Sequence, residues 1–269
     1  MRMTRPYVIS GIAILLVESL ALAQGVQQQM GMNGSVNFTE RTITATGIGM
    51  PGAAGGRAGV LRAAKMDALG NLLQVIKGIA LTSSGTVENQ IRSNDAVKSR
   101  VEGIAKMFRQ VGPEKYYDDG SVEITIEMNL DGPFLEAILP PRSGGAPPLA
   151  STVKGSVVYT GLIVDATGLG ARPALAPRIL NEMGQEVYGT AFASRDWAVK
   201  YGLAGYEKAL SAASRNERVA DRPLIVRGLR TSGPNAADII ISNHDAQKLH
   251  SVQENLNFLD QCRVIIILD

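Results

Sequence analysis

Between residues 57 and 80 apolar side chains return every three or four positions. Leu61, Ala64, Ala68, Leu72, Val75 and Ile79 fall within about 40° of one line at roughly 100° per residue. The pattern predicts a long amphipathic helix, with Asp67, Gln74 and Lys77 away from its apolar face. Ala63, Ala64 and Ala68 keep the first half of that face small, so the helix can approach a sheet or a neighbour closely. Over residues 122–130 the period changes to two: Val122, Ile124, Ile126 and Met128 alternate with Glu123, Thr125, Glu127 and Asn129. That is a strand with one buried and one wet face. Asp118, Asp119 and Gly120 supply a tight turn before it, so residues 109–117 are its hairpin partner.

Residues 36–46 alternate in part and read as a strand, and residues 82–89 as a short strand region. Ser93 or Asn94 can cap a second helix, whose buried face is Val97, Val101, Ile104, Ala105 and Phe108. The order strand, helix, strand, helix, strand, strand defines an α+β unit over residues 35–135, a sheet with helices on one face. Residues 24–34 are polar and glycine-rich, a flexible lead. PPRSGGAPP at 140–148 cannot support a core segment and centres a semi-stiff linker over residues 136–151.

A second α+β domain is expected over residues 152–269, with a mostly antiparallel or mixed sheet. Strands are predicted at 156–164, 178–180, 186–188, 223–230, 238–241 and 264–268, with Glu182 to Gln185 as a hairpin turn. Ser194 can cap a helix carrying Trp197, Tyr201 and Ala204 on one side. Asn243 can cap another that buries Leu249, Val252, Leu256 and Leu259. Val264 to Leu268 is continuously apolar, which predicts a strand covered on both faces. Residues 238–268 read as a strand–helix–strand crossover.

Residues 1–23 have the form of an export signal. Arg2 and Arg5 precede a mostly apolar run over 7–17, and Ala21, Leu22 and Ala23 form a small-x-small cleavage site before Gln24. The apolar run is too short for a comfortable membrane span, and no Cys follows it to carry a lipid. Export places the chain in the periplasm, with no integral span once the signal is removed. Lys and Arg number 27 against 25 Asp and Glu, which gives no footprint for nucleic acid or an anionic membrane surface. One cysteine rules out an internal disulfide, so the fold relies on its core.

Candidate chemistry is sparse. Gly47, Gly49 and Gly52 match G-x-G-x-x-G, the spacing that holds a dinucleotide pyrophosphate at a helix start. Pro51 interrupts it, and no acidic residue ends a second strand about 20 residues on, so a flexible strand-to-helix connection is the expected role. His244 and His250 are six apart and do not share a helix face as a metal pair would. Cys262 precedes an apolar strand as an inert buried thiol. Asp165, Asp196 and Asp238 show no paired-carboxylate spacing, and Arg172, Arg178 and Arg195 are loop charges or an anion site. No catalytic, metal or cofactor residues are expected.

Ala63, Ala64, Asp67, Ala68, Asn71 and Leu72, then Ile76, Gly78, Thr86 and Val87, then Val101, Glu102 and Gly103, and finally Tyr117, Asp119, Gly120, Ser121 and Val122 resemble the LPP-twenty lipoprotein family over residues 45–130. The family includes bacterial envelope proteins, and flagellar accessory proteins carry related domains. The resemblance implies a non-enzymatic envelope protein, with a place in a ring or disc around a flagellar motor. The missing lipidation Cys departs from that pattern and puts a lipid anchor in the outer membrane in question. The leading expectation is therefore an exported scaffold or assembly protein that forms a homo-oligomer or binds envelope proteins, through strand edges at 36–46 or 114–130. The alternative is a periplasmic binding module for a small ligand or cell-wall glycan, using the glycine loop at 47–56 or the turn at 172–178. Edman sequencing of periplasmic material should begin at Gln24; Met1 retained in a membrane fraction would refute the export reading.

Overall fold

A computed structural model describes residues 25–52, 55–141 and 157–269. The expected signal with its Ala23–Gln24 cleavage point, and linker residues 142–151, lie outside them. The chain is α+β, built on two sheets. The first unit runs β1 (Gln27–Gln29), β2 (Gly34–Asn37), β3 (Thr42–Gly49), α1 (Gly56–Gly78), α2 (Val87–Ser93), α3 (Asp95–Ala105), β4 (Arg109–Tyr116), β5 (Val122–Asn129) and α4 (Pro133–Ile138). Its sheet is antiparallel in the order β1-β2-β3-β5-β4.

The second unit runs β6 (Gly161–Asp165), β7 (Ile179–Leu180), β8 (Glu186–Tyr188), α5 (Arg195–Tyr201), β9 (Gly205–Glu207), α6 (Leu210–Ala213), β10 (Pro223–Ser232), β11 (Asp238–Ile241), α7 (Asn243–His250), α8 (Gln253–Asp260) and β12 (Val264–Ile267). Its sheet is mixed, in the order β8-β7-β11-β10-β6-β12-β9. Among the described residues no helix is long and apolar enough to cross a membrane.

Helix α1 lies on β3 at a distance only glycine permits. A Cβ at Gly47 would stand 2.1 Å from the Ala68 backbone nitrogen, and one at Gly49 2.0 Å from the Val60 carbonyl oxygen. Ala64 and Ala68, both fully buried, complete the contact from the helix side. Asp67 and Asn71 secure it. Ladder pairing with β2 ends at Ala45; beyond it the Ile48 N–H donates to Asp67 Oδ2 at 2.9 Å and Asn71 Nδ2 donates to the Thr46 carbonyl at 2.8 Å. Two backbone groups past the end of the ladder thus find side-chain partners on the helix. Gly47 and Gly49 are therefore strand residues in a helix-packing contact, which corrects the expectation of a flexible connection there.

The two units share one continuous apolar core. The Phe38 and Tyr206 rings meet edge to face with centroids 5.7 Å apart. Residues 175 and 176 donate backbone hydrogen bonds to the Ala80 and Leu81 carbonyls at 3.0 and 2.7 Å. Buried Asp238, at the start of β11, accepts from buried Ser83 Oγ at 2.7 Å and from Arg178 Nε at 3.1 Å. The Asn235 N–H donates to the Ser83 carbonyl at 2.8 Å, and Arg195 Nη2 donates to the Glu136 carbonyl at the end of α4 at 2.8 Å.

Several local expectations change. Residues 27–29 of the expected flexible lead form β1, held by pairing with β2. Residues 82–89 make a single bridge, Ala80 to Thr86, after which a Thr86–Asn89 capping box starts α2. Residues 136–138, assigned to the linker, continue α4, and Ile138 and Leu139 are buried. The helix expected after Asn243 is two helices, broken at residues 251–252, and Ser242 is its cap. Residues 238–268 are no simple crossover: β11 folds back antiparallel on β10, and β10 and β6 separate it from β12. Strand β12 is covered on both faces as its composition predicts, with Ile265 and Ile267 against Ala213 and Val219 and the remaining side chains in the main core.

Gly49→Ala forces backbone apart and should cost about 1–3 kcal/mol, the range for overpacking. Leu72→Ala should cost roughly 2–5 kcal/mol, and Gln74→Ala, on the exposed face, under about 0.5 kcal/mol. Urea unfolding checks all three; equal effects at Leu72 and Gln74 would show the helix face to be misassigned.

Candidate functional site

Where the two units meet on one side, a cleft of ≈ 460 Å³ opens. Its volume lies within the roughly 300–1,000 Å³ of ordinary small-ligand pockets. The β2–β3 turn contributes Thr39 and Arg41, and α5 contributes Trp197 and Tyr201. Strand β9 forms the back with Gly205, Tyr206 and Glu207; the loop after α6 adds Asn216, Glu217 and Arg218, and the end of α8 adds Gln261, Cys262 and Arg263.

The walls are fixed by one bond between the units and by others within each. Thr39 Oγ1 donates to the Tyr206 carbonyl at 2.7 Å and accepts from the Val26 N–H at 2.8 Å. Arg218 is spent on the floor: Nε donates to the Cys262 carbonyl at 2.8 Å, Nη1 to the Tyr201 carbonyl at 2.9 Å, and Nη2 to the Gly202 carbonyl. Burial pulls its pKa below the ordinary arginine value; the guanidinium nevertheless stays charged. Asn216 Nδ2 donates to Glu207 Oε1 at 2.9 Å. Two positive-φ non-glycine residues, Arg41 and Cys262, both at φ 57°, line this cleft. Such strain is held only where surrounding structure dictates it.

At the rim, Trp197 and Tyr201 stack with centroids 5.3 Å apart and planes 20° from parallel. They remain 38% and 36% exposed, and Lys200 Nζ lies over the Tyr201 ring, 4.9 Å from its centroid. Arg41 is loosely held, 3.7 Å from Asp131 Oδ2 and 3.4 Å from the Lys200 carbonyl. Among the described residues no protein group hydrogen-bonds the side chains of Arg263 or Gln261 or the Trp197 indole N–H. The cleft therefore combines stacked aromatics with donors that are unspent.

The residues singled out by sequence lie elsewhere, apart from Cys262. That thiol is buried in the cleft floor, and burial pushes it up to about 11, so it is protonated at neutral pH and a poor nucleophile. His244 is exposed in the first turn of α7, while His250 is buried, donates from Nε2 to the Val187 carbonyl at 2.9 Å and packs against Phe192. Arg178 is committed to Asp238 and Arg195 to the carbonyls ending α4; Arg172 is exposed. Burial acts to raise the Asp165 carboxyl, but hydrogen bonds from Thr167 and Arg227 outweigh it and hold it below the usual range. Asp196 is exposed on α5, so the three aspartates serve separate partners. Among the described residues no group of three or more His, Cys, Asp or Glu could hold a metal ion.

The sequence showed Trp197 and Tyr201 as a helix stripe but not its exposure. Arg41, Arg218 and Arg263 carried no signal, since they come from segments distant in the chain. A family model described as Treponema pallidum Tp0624, second domain, matches residues 161–269, which is the second unit from the first residue of β6 onward. No curated protein matches the chain.

Burial holds the His250 imidazole below its ordinary value, against the opposing hydrogen bond to Val187. The folded ring is then neutral at pH values where the unfolded chain already takes up a proton, near pH 6.5. Its contribution to stability is complete above that value and is lost as pH falls through it. His250→Gln should therefore flatten the loss of stability between about pH 7.5 and pH 5.5. Urea midpoints across that window measure it; a slope equal to that of the unaltered protein would contradict the assignment.

Proposed function

We propose that this chain is an exported, non-enzymatic periplasmic module of the cell envelope whose cleft holds a small ligand or a cell-wall glycan. The cleft carries the reading: it is of ligand size, its walls are fixed by Arg218 and Thr39, and its rim offers stacked aromatics and unspent donors. Export is supported by the form of residues 1–23. An envelope setting is supported by the LPP-twenty resemblance, whose Ala64, Asp67, Ala68 and Asn71 hold α1 to β3. No residue of the glycine loop or of the turn at 172–178 lines this cleft.

A second reading, a scaffold in an envelope ring or a flagellar-motor-associated disc, is favoured by β4, an eight-residue open edge of the first sheet. Contact there would use 109–116, which includes 114–116 of the expected edge; 36–37, 42–46 and 122–129 belong to the interior strands β2, β3 and β5, and 38–41 to the turn at the cleft. Pro113, Lys115 and the register shift between Val111 and Lys115 are features that blunt edge pairing, which weighs toward the binding module.

Melting curves with and without soluble cell-wall glycan fragments, alongside light scattering, separate the two. The module reading expects a ligand-dependent rise in Tm, since a ligand that binds only the folded chain stabilises it. No rise, together with a defined oligomer, would overturn it in favour of the scaffold.

A further inference from the structure

We infer that the cleft is a site for an acidic saccharide, a sugar ring bearing a carboxylate; this rests on the binding-module reading. Three observations point to that class. The first is the Trp197–Tyr201 stack, nearly parallel and more than one third exposed. Water gains little from such a surface, and the apolar face of a sugar ring can cover it while its hydroxyls stay at the edge. The second is charge. Arg263 has no side-chain partner among the described residues, and Arg41 meets Asp131 and the Lys200 carbonyl only at the limit of contact. Guanidinium groups in this state match a carboxylate, which they bind through two parallel N–H bonds. The third is the Gln261 amide, also without a hydrogen-bond partner among the described residues, which suits a hydroxyl or acetamido group by both donating and accepting.

The division of labour among the arginines sharpens the inference. Arg218 spends its donors on the carbonyls of Cys262, Tyr201 and Gly202; it fixes the floor and sets α5 against the end of α8. Arg41 and Arg263 line the same cleft without comparable partners. A neutral sugar would leave Arg263 without a counter-charge and Arg41 with only its 3.7 Å contact to Asp131. A small carboxylate without a ring would leave the aromatic pair in water. The acidic saccharide answers both.

The test is calorimetric titration of the full chain with N-acetylmuramic acid, glucuronic acid, N-acetylglucosamine and acetate. The two acidic sugars should bind, and N-acetylglucosamine and acetate should bind at least tenfold more weakly. Trp197→Ala and Arg263→Ala should each weaken the acidic sugars by tenfold or more. Arg100→Ala, at an exposed position of α3, should leave affinity unchanged, and circular dichroism confirms that each variant is folded. If N-acetylglucosamine binds as well as the acidic sugars and Arg263→Ala has no effect, the acidic class is wrong while the binding module stands. If Trp197→Ala is folded and binds unchanged, the site is elsewhere and the inference falls. If no saccharide binds and glycan fragments leave Tm unchanged, this inference and the binding-module reading fall together.

Discussion

The closest contact in the first unit, where α1 meets β3, governs how that unit is assembled. Gly47 and Gly49 remove the side chains that would hold the helix off, and Ala64 and Ala68 answer them from the helix. Once the backbones are this near, Asp67 and Asn71 can reach β3 groups beyond the end of its pairing with β2. The contact is therefore steric and polar together, and each part requires the other. With α1 seated, Leu72, Val75 and Ile76 close over the inner residues of β2, β3 and β5, and the chain leaves the helix at Ala80 and Leu81, where the second unit takes hold.

That second contact turns two sheets into one body. The backbone bonds at residues 175 and 176, the Ser83–Asp238–Arg178 set and the Arg195 contacts to α4 are spread along the seam. Apolar burial alone is non-directional and would allow the layers to slide; hydrogen bonds to a buried carboxylate fix register, because leaving any of them unmade is costly. Where the seam gapes, the cleft is left, walled by β9 and α5 of the second unit and by the β2–β3 turn of the first. The cleft is thus a by-product of how the sheets join.

The local pattern of the chain carried most of the elements. The period of α1, the alternation of β5, the Asn94 cap of α3 and the apolar run of β12 were all legible, because each depends on neighbours a few residues away. Errors gathered where local preference was outvoted. A polar glutamine triplet became β1 because β2 offered a free edge, and the end of α4 was drawn into the core although prolines follow closely.

Sequence by itself determined the α+β class, the two sheet-forming stretches and the small-residue face of α1, since hydrophobic periodicity and turn chemistry act over short spans. Only tertiary structure decided the strand order of the second sheet, the role of Gly47 and Gly49, the partners of Asp238 and the cleft. Each of these joins residues far apart in the chain, as Thr39 joins Tyr206 and Ser83 joins Asp238. No spacing rule reads such pairs; they are selected by which packed arrangement leaves the fewest buried polar groups unanswered.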